Sequence, residues 1–396
     1  MRISLLPFHI LILLSCTGLA GQSHRCLQES RGHPGAHCRP HQKQMQTRST
    51  QHFRLVFHVL HSTVDERIPA SQIYSQVEIL NDIYNRNPYS GYTAIPAEFR
   101  SLQSNPQMQF CLADDDPNGQ PTDGINYYPV NDPDLACKTQ FGKRNIMHSL
   151  LGGVDVWDPK SYINIYIANR ESCSSLGEAV FPWEAQADED GIIIDFRALG
   201  HTGIASGQAP FHLGRTLVHE LGHFFGLLHL SENKNDCTGD DLVNDTPVQA
   251  GEYFGCPNHP QINCTVPALF MNYMSLVDDP CMKLFTTGQV VRMNQMIMQY
   301  RSELPGSPCS AVDTSAISEL QIIQLNGFWQ IRHANLTAWS AGLELYDLAG
   351  RLVWRGENRN QLSYTLPLAG WQWITGMYFL RISNPKGCIA FKLIKN

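Results

Sequence analysis

The chain has 396 residues, of which 43 % are hydrophobic and 16 % charged, with a formal net charge of −7. That length supports a catalytic domain with a full core plus one smaller folded unit. No basic run is long enough to neutralise a nucleic-acid backbone, which excludes nucleic acid as an expected partner.

Residues 1–20 begin with Arg2, run through an apolar stretch from Leu5 to Leu14 and reach Gly18-Leu19-Ala20, the pattern of an export signal cleaved after Ala20. Acylation at Cys16 is the lesser alternative, because Leu14 fits poorly where a lipoprotein signal has a small residue. No apolar stretch is long enough for a transmembrane segment, so a secreted or cell-surface protein is expected. Residues 21–52 are rich in His, Arg, Gln, Gly and Ser, cannot build a core and read as a pro-segment.

The first predicted strand is Phe53 to Leu60, a β-rich run with inward alternation, and the domain is taken to span 53–304. Ile73, Val77, Leu80, Ile83 and Tyr84 recur at helical period and predict a helix over 71–86. Further strands are expected at 110–113, 163–167 and 191–195. Strands precede the helix described next, so the fold class expected is α/β, with strands above a buried helix.

His219-Glu220-Leu221-Gly222-His223 then places two imidazoles four residues apart, on one face of a helix. Gly226 tolerates positive φ and ends that helix, letting His229 swing back as a third ligand. Three protein ligands leave one position open for water, the hallmark of a catalytic rather than a structural zinc site. His219, His223 and His229 are thus the expected ligands of one zinc ion, with Glu220 as general base. A silent metal-binding or adhesion protein is the alternative, and the intact Glu220 argues against it. A zinc hydrolase of small amides is the other.

Twelve cysteines in an exported chain favour disulfides. Cys237, Cys256, Cys264 and Cys281 cluster after the zinc motif and allow three pairings; Cys111, Cys137, Cys173, Cys309 and Cys388 stay unassigned. Thr286 and Gln289 form a capping-box signal for a helix ending near Ser302. Residues 305–317 read as a linker. From 318 to 396, two hairpins, 342–354 and 377–394, predict a small all-β sandwich.

Asn272-Tyr273-Met274-Ser275 resembles the Met-turn beneath the metal of metzincin metalloproteases, with Met274 as an apolar floor. Within that group the chain resembles the pappalysin family over about residues 53–300. The matching pieces are Leu176-Gly177 with Ala179 and Phe181-Pro182, Asp190-Gly191, Gly214-Arg215-Thr216, the zinc motif, Asp245-Thr246-Pro247, the Met-turn, and Cys281 leading to Phe285-Thr286 with Gln289 and Arg292-Met293. The resemblance implies an α+β metzincin domain with a twisted mixed sheet and an active-site helix. It implies disulfides Cys237–Cys264 and Cys256–Cys281, and structural calcium near Asp241, Asn244, Asp245 and Thr246. It implies a zymogen in which Cys26 occupies the open zinc position, Cys38 being the substitute, activated by a cut near Arg48 or Arg54. It also implies protein and peptide substrates cut before Arg or Lys, with Asp278 and Asp279 as candidates for the acidic pocket. Leu276 stands where several metzincins have a Tyr that supports the tetrahedral intermediate. The C-terminal hairpins resemble the sorting domain read by type IX secretion machinery, with a carbohydrate- or protein-binding sandwich as the alternative.

Overall fold

The computed structural model describes residues 25–26, 50–85, 95–232, 234–306, 320–325, 328–333, 339–347, 352–366, 376–384 and 387–395. The export signal with Cys16, and also Cys38, Arg48, Cys309 and most of the linker, lie outside the described residues.

Strand β1 (Gln51–His61) is flanked on one side by β2 (Met108–Leu112) and β3 (Ile125–Pro129), and on the other by β4 (Ile163–Ala168). All three pairings are parallel. Beyond β4 lies β6 (Ile192–Asp195), again parallel, and the sheet ends in β5 (Gly177–Ala179), its antiparallel strand. The alternation expected of the first strand is replaced by burial on both faces from Leu55 to Leu60. A parallel strand at the middle of a sheet is covered above and below, so polar outward positions have no solvent to meet. Strand β1 begins at Gln51, two residues before the expected start. Arg54 is consequently ladder-paired inside it and ion-paired to Asp115.

Helix α1 (Ala70–Tyr84) packs on one face of the sheet. Helix α2 (Arg215–Phe224) lies beneath β5, and α3 (Thr287–Tyr300) closes the unit. The Thr286 hydroxyl accepts from Gln289 N while the Gln289 side chain takes Thr286 N–H, the capping box foreseen. The one large core draws on β1, α1, β4, α2 and the segment from Leu269 to Leu284.

The C-terminal strands form two sheets, one of 320–325, 328–333 and 363–365, the other of 339–347, 352–361, 376–384 and 387–395. They share a core of Leu320, Ile331, Leu343, Leu345, Trp354, Leu380 and Ile382, as a sandwich does. Its chain passes so close to α1 at Gly342 that a Cβ there would lie 2.4 Å from that of Ser71. The Arg359 guanidinium lies 4.5 Å over the Tyr127 ring and that of Arg67 lies 4.2 Å from the same ring.

His58, in the middle of β1, is fully buried, with its Nε2 3.0 Å from Asn164 Oδ1 and its ring stacked 4.8 Å from Tyr166. Burial pushes its pKa down to about 4, the Asn164 bond only partly opposing. The unfolded chain takes up this proton near pH 6.5 and the folded one does not, so stability is lost as pH falls from 6.5 towards 4. His58→Gln is expected to remove roughly 2 kcal/mol of the acid destabilisation between pH 6.5 and 4.5. Denaturant unfolding at both pH values checks this; an unchanged pH slope refutes it.

Candidate active site

Helix α2 carries His219 and His223 one turn apart, and all ten of its residues are buried. Gly226, at φ 88°, ends it in the left-handed conformation expected and turns the chain back, so that His229 meets the other two rings. The three Nε2 atoms lie 3.1 Å from one another. Lone pairs at that separation in a buried site repel, whereas three nitrogens bound to one ion at about 2.1 Å have this spacing. Two outer contacts turn the lone pairs inward: His219 Nδ1 is 2.8 Å from Tyr273 O and His223 Nδ1 2.8 Å from Leu227 O, so each ring donates there and keeps Nε2 as acceptor. The Cys26 Sγ lies 3.7 Å from His223 Nε2 and completes a set of four ligand atoms within 4.8 Å of one another. Three imidazoles and a thiolate suit zinc.

Glu220 is fully buried, and neither of its carboxylate oxygens has a hydrogen-bond partner at bonding distance. Burial pushes its pKa up to about 8, opposed by the charge of Arg170 and by the nearby Cys26 thiol. A Cβ on Gly177 would lie 2.6 Å from Glu220 Oε1, so the edge strand passes directly over the carboxylate. Below the helix, a Cβ on Gly222 would lie 2.3 Å from Met274 Sδ, which puts Met274 flush beneath the metal-binding turn. Tyr273 faces away from the imidazoles and packs 4.8 Å from Phe285, while Leu276 is buried.

The Peptidase M43 family profile, described as pregnancy-associated plasma protein-A, matches residues 153–298. An extracellular metalloprotease of Pyricularia oryzae is 40 % identical over 149 residues, covering 35 % of this chain and 50 % of the relative. One from Arthroderma benhamiae is 28 % identical over 248 residues, covering 62 % and 77 %. The chain thus spans about half the length of the first of these relatives. Among solved structures, a promirolysin mutant of Tannerella forsythia is similar at 34 % identity and TM-score 0.60, covering 65 % of this chain and 84 % of that one. Mature mirolysin with a cleaved peptide matches at 33 % identity and TM-score 0.58, covering 65 % and 99 %. This chain belongs to the pappalysin family of metalloendopeptidases.

Arg25 and Cys26 lie between the edge strand and the imidazole cluster. Arg25 O accepts from Leu176 N and Gly177 N, both at 3.1 Å, so this residue leans on the edge strand. The Arg25 side chain is buried: it bonds Asp279 Oδ1 at 2.6 Å, Val277 O at 3.0 Å and Thr216 Oγ1 at 3.1 Å, with the Phe211 ring 5.1 Å away. Asp279 is buried and its other oxygen accepts from Leu213 N; Asp278 is partly exposed and does not bond Arg25. Of the two acidic candidates, Asp279 alone bonds the Arg25 guanidinium. Arg25, Thr216, Phe211 and the Val277 carbonyl were not foreseen as partners, since they come together from three segments far apart in sequence.

The residues proposed for calcium divide. Asp241 and Thr246 meet, Oγ1 of Thr246 donating to Asp241 Oδ1 at 2.7 Å, and Asp241 Oδ2 is buried with no partner. Asp245 turns instead to α3, accepting from Thr286 Oγ1 and Gly288 N, and Asn244 is exposed. Disulfides join Cys237 to Cys264 and Cys256 to Cys281, the pairing the resemblance implies, and Cys137 to Cys173. Cys111 is also disulfide-bonded, while Cys26 keeps its thiol.

Gly177→Ala is expected to displace the Glu220 carboxylate without touching the imidazoles. Peptide hydrolysis should fall at least about tenfold in kcat, a part of the roughly hundredfold or more that a positioned proton acceptor contributes, while zinc content by atomic absorption stays at that of the parent protein. Unchanged kcat would contradict the close approach.

Proposed function

We propose that this chain is the zymogen of an exported zinc endopeptidase that cuts before Arg or Lys. The observation that carries the reading is the joint seating of Arg25 and Cys26, one side chain on a buried carboxylate and the next on the imidazole cluster. Buried guanidinium against buried carboxylate is a costly arrangement that needs near-complete pairing. A pocket so built for Arg25 is equally a pocket for the basic side chain of a substrate. Cys26 at the ligand cluster takes the position that water must occupy in an active enzyme, so removal of the segment opens both sites at once.

In the mature enzyme His219, His223 and His229 would hold zinc, which supplies Lewis acidity to water and to the scissile carbonyl. Glu220 receives the water's proton and returns it to the leaving amine. Its burial away from every donor but the Cys26 thiol suits that exchange, because no fixed hydrogen bond has to break first. Leu176 and Gly177 offer main-chain N–H groups to the substrate backbone, as they do to Arg25. Met274 supports the cluster from below. Asp241, with its buried oxygen lacking a partner, and Thr246 are the part of the calcium set with a cation's chemistry. The signal at 1–20 and the β-sandwich tail are read as export and type IX sorting elements, and the extracellular relatives agree with export.

The test is digestion of a denatured protein mixture by processed material beside Glu220→Ala, with new termini read by mass spectrometry. New N-termini dominated by Arg and Lys, in the parent only, are expected; no difference between the two overturns the endopeptidase reading. Asp279→Ala should cost about a hundredfold in kcat/KM for Arg and Lys substrates, in line with stranding a buried charge. Cys26→Ala should give activity before any processing. Calcium chelation by EGTA, with zinc replenished, should lower the melting temperature; an unchanged Tm removes calcium from the reading.

A further inference from the structure

The two halves of the cleft differ in chemistry. Arg25 marks the side that receives the residue after the scissile bond, and its surroundings are Asp279, Thr216 and backbone carbonyl. In the other direction the edge strand continues from Gly177 through Ala179 to Phe181, whose ring meets His223 edge-on at 5.2 Å. Trp183 stacks on Phe181, with centroids 4.7 Å apart and planes 12° from parallel. Phe181, Leu228 and Leu242 are buried together and Trp183, packed against them, keeps part of its surface exposed. Leu242 sits at φ 60°, a left-handed conformation that branched apolar residues rarely adopt, and its side chain is nonetheless buried in this cluster. Such strain persists where the surroundings over-determine it, as at ligand sites.

We infer that Trp183, backed by Phe181, Leu228 and Leu242, is the specificity-determining residue for the acyl half of the substrate, taking a large apolar or aromatic side chain. This rests on the endopeptidase reading above. An extended substrate advances about 3.3 Å per residue, so a side chain reaching the indole belongs to one of roughly the three residues preceding the scissile bond. A rigid indole with one face backed by a packed ring offers contact area at little entropic cost and leaves orientation to the main-chain bonds with the edge strand.

The experiment uses processed enzyme and peptides with Arg fixed after the scissile bond, while the three preceding positions are scanned with Ala, Glu, Leu, Phe and Tyr. The parent enzyme should favour Leu, Phe or Tyr over Ala at one position by at least about tenfold in kcat/KM, the scale of a hydrophobic subsite. Trp183→Ala should abolish that preference and leave the all-Ala peptide cut at the parental rate, which also reports that the variant is folded; Trp183→Phe should restore part of it. A parent enzyme indifferent to these positions, or a variant that slows every peptide alike, overturns the subsite. Failure of the parent to cut any Arg peptide overturns the endopeptidase reading itself, and the subsite with it.

Discussion

Three imidazole nitrogens held 3.1 Å apart in a dry interior are the constraint on which the rest of this protein depends. Left alone they repel, and each ring has to be aimed against that repulsion. The aim comes from outside the motif. Tyr273 supplies a carbonyl to one ring from the segment that also carries Met274, and Leu227 supplies one to another from the turn made by Gly226. The Tyr273 segment is in turn clamped to α3, where Asn272 and Gln289 exchange two side-chain bonds of 2.8 and 3.0 Å. Gln289 is the same residue that closes the capping box, so the start of α3 and the floor of the site are one hydrogen-bonded unit.

The far end of α3 performs a similar task with charge. Arg301 pairs with the buried Asp190, donates to Phe224 O and Val180 O, and lays its guanidinium 3.7 Å over the Phe224 ring. One side chain thereby joins the end of α2, the exit of the edge strand and the loop before β6. A buried ion pair of this kind adds little net stability, because desolvation offsets attraction. What it secures is relative position: the edge strand above Glu220 and the helix below it are tied to the same guanidinium.

Much of the catalytic unit was legible because its signals are local. A helix with two histidines four apart, a glycine after it and a Thr286–Gln289 box depend on residues within one turn of each other, and each formed where its pattern placed it. Burial of both faces of β1 was not legible, since Val56 and His58 look outward-facing until the α-helix side and the loop side are both known to be covered. Strand β5 escaped for a different reason. Gly177-Glu178-Ala179 has neither length nor β-branched content, and it becomes a strand through pairing with β6. The tail showed its hairpins at 342–354 and 377–394 and hid its first sheet, in which the 320–333 hairpin is completed by 363–365 from a distant part of the chain.

The sequence by itself determined the metal chemistry, because ligand type and spacing along a helix suffice to bring His219, His223 and Glu220 to one place, and Gly226 alone permits the return of His229. Only the tertiary structure decided which carboxylate meets the Arg25 guanidinium and which merely neighbours it. Asp278 and Asp279 are equivalent as letters. They differ because the backbone N–H groups of Leu213 and Arg215, at the entry to α2, fasten Asp279 from one side and Arg25 meets it from the other, contacts made across 64 to 254 positions of chain. Calcium candidates divided in the same way, Asp245 being drawn off to cap a helix that begins more than forty residues later. Short-range spacing encodes which groups can bind one ion, whereas the partner of a lone carboxylate is set by packing between distant segments.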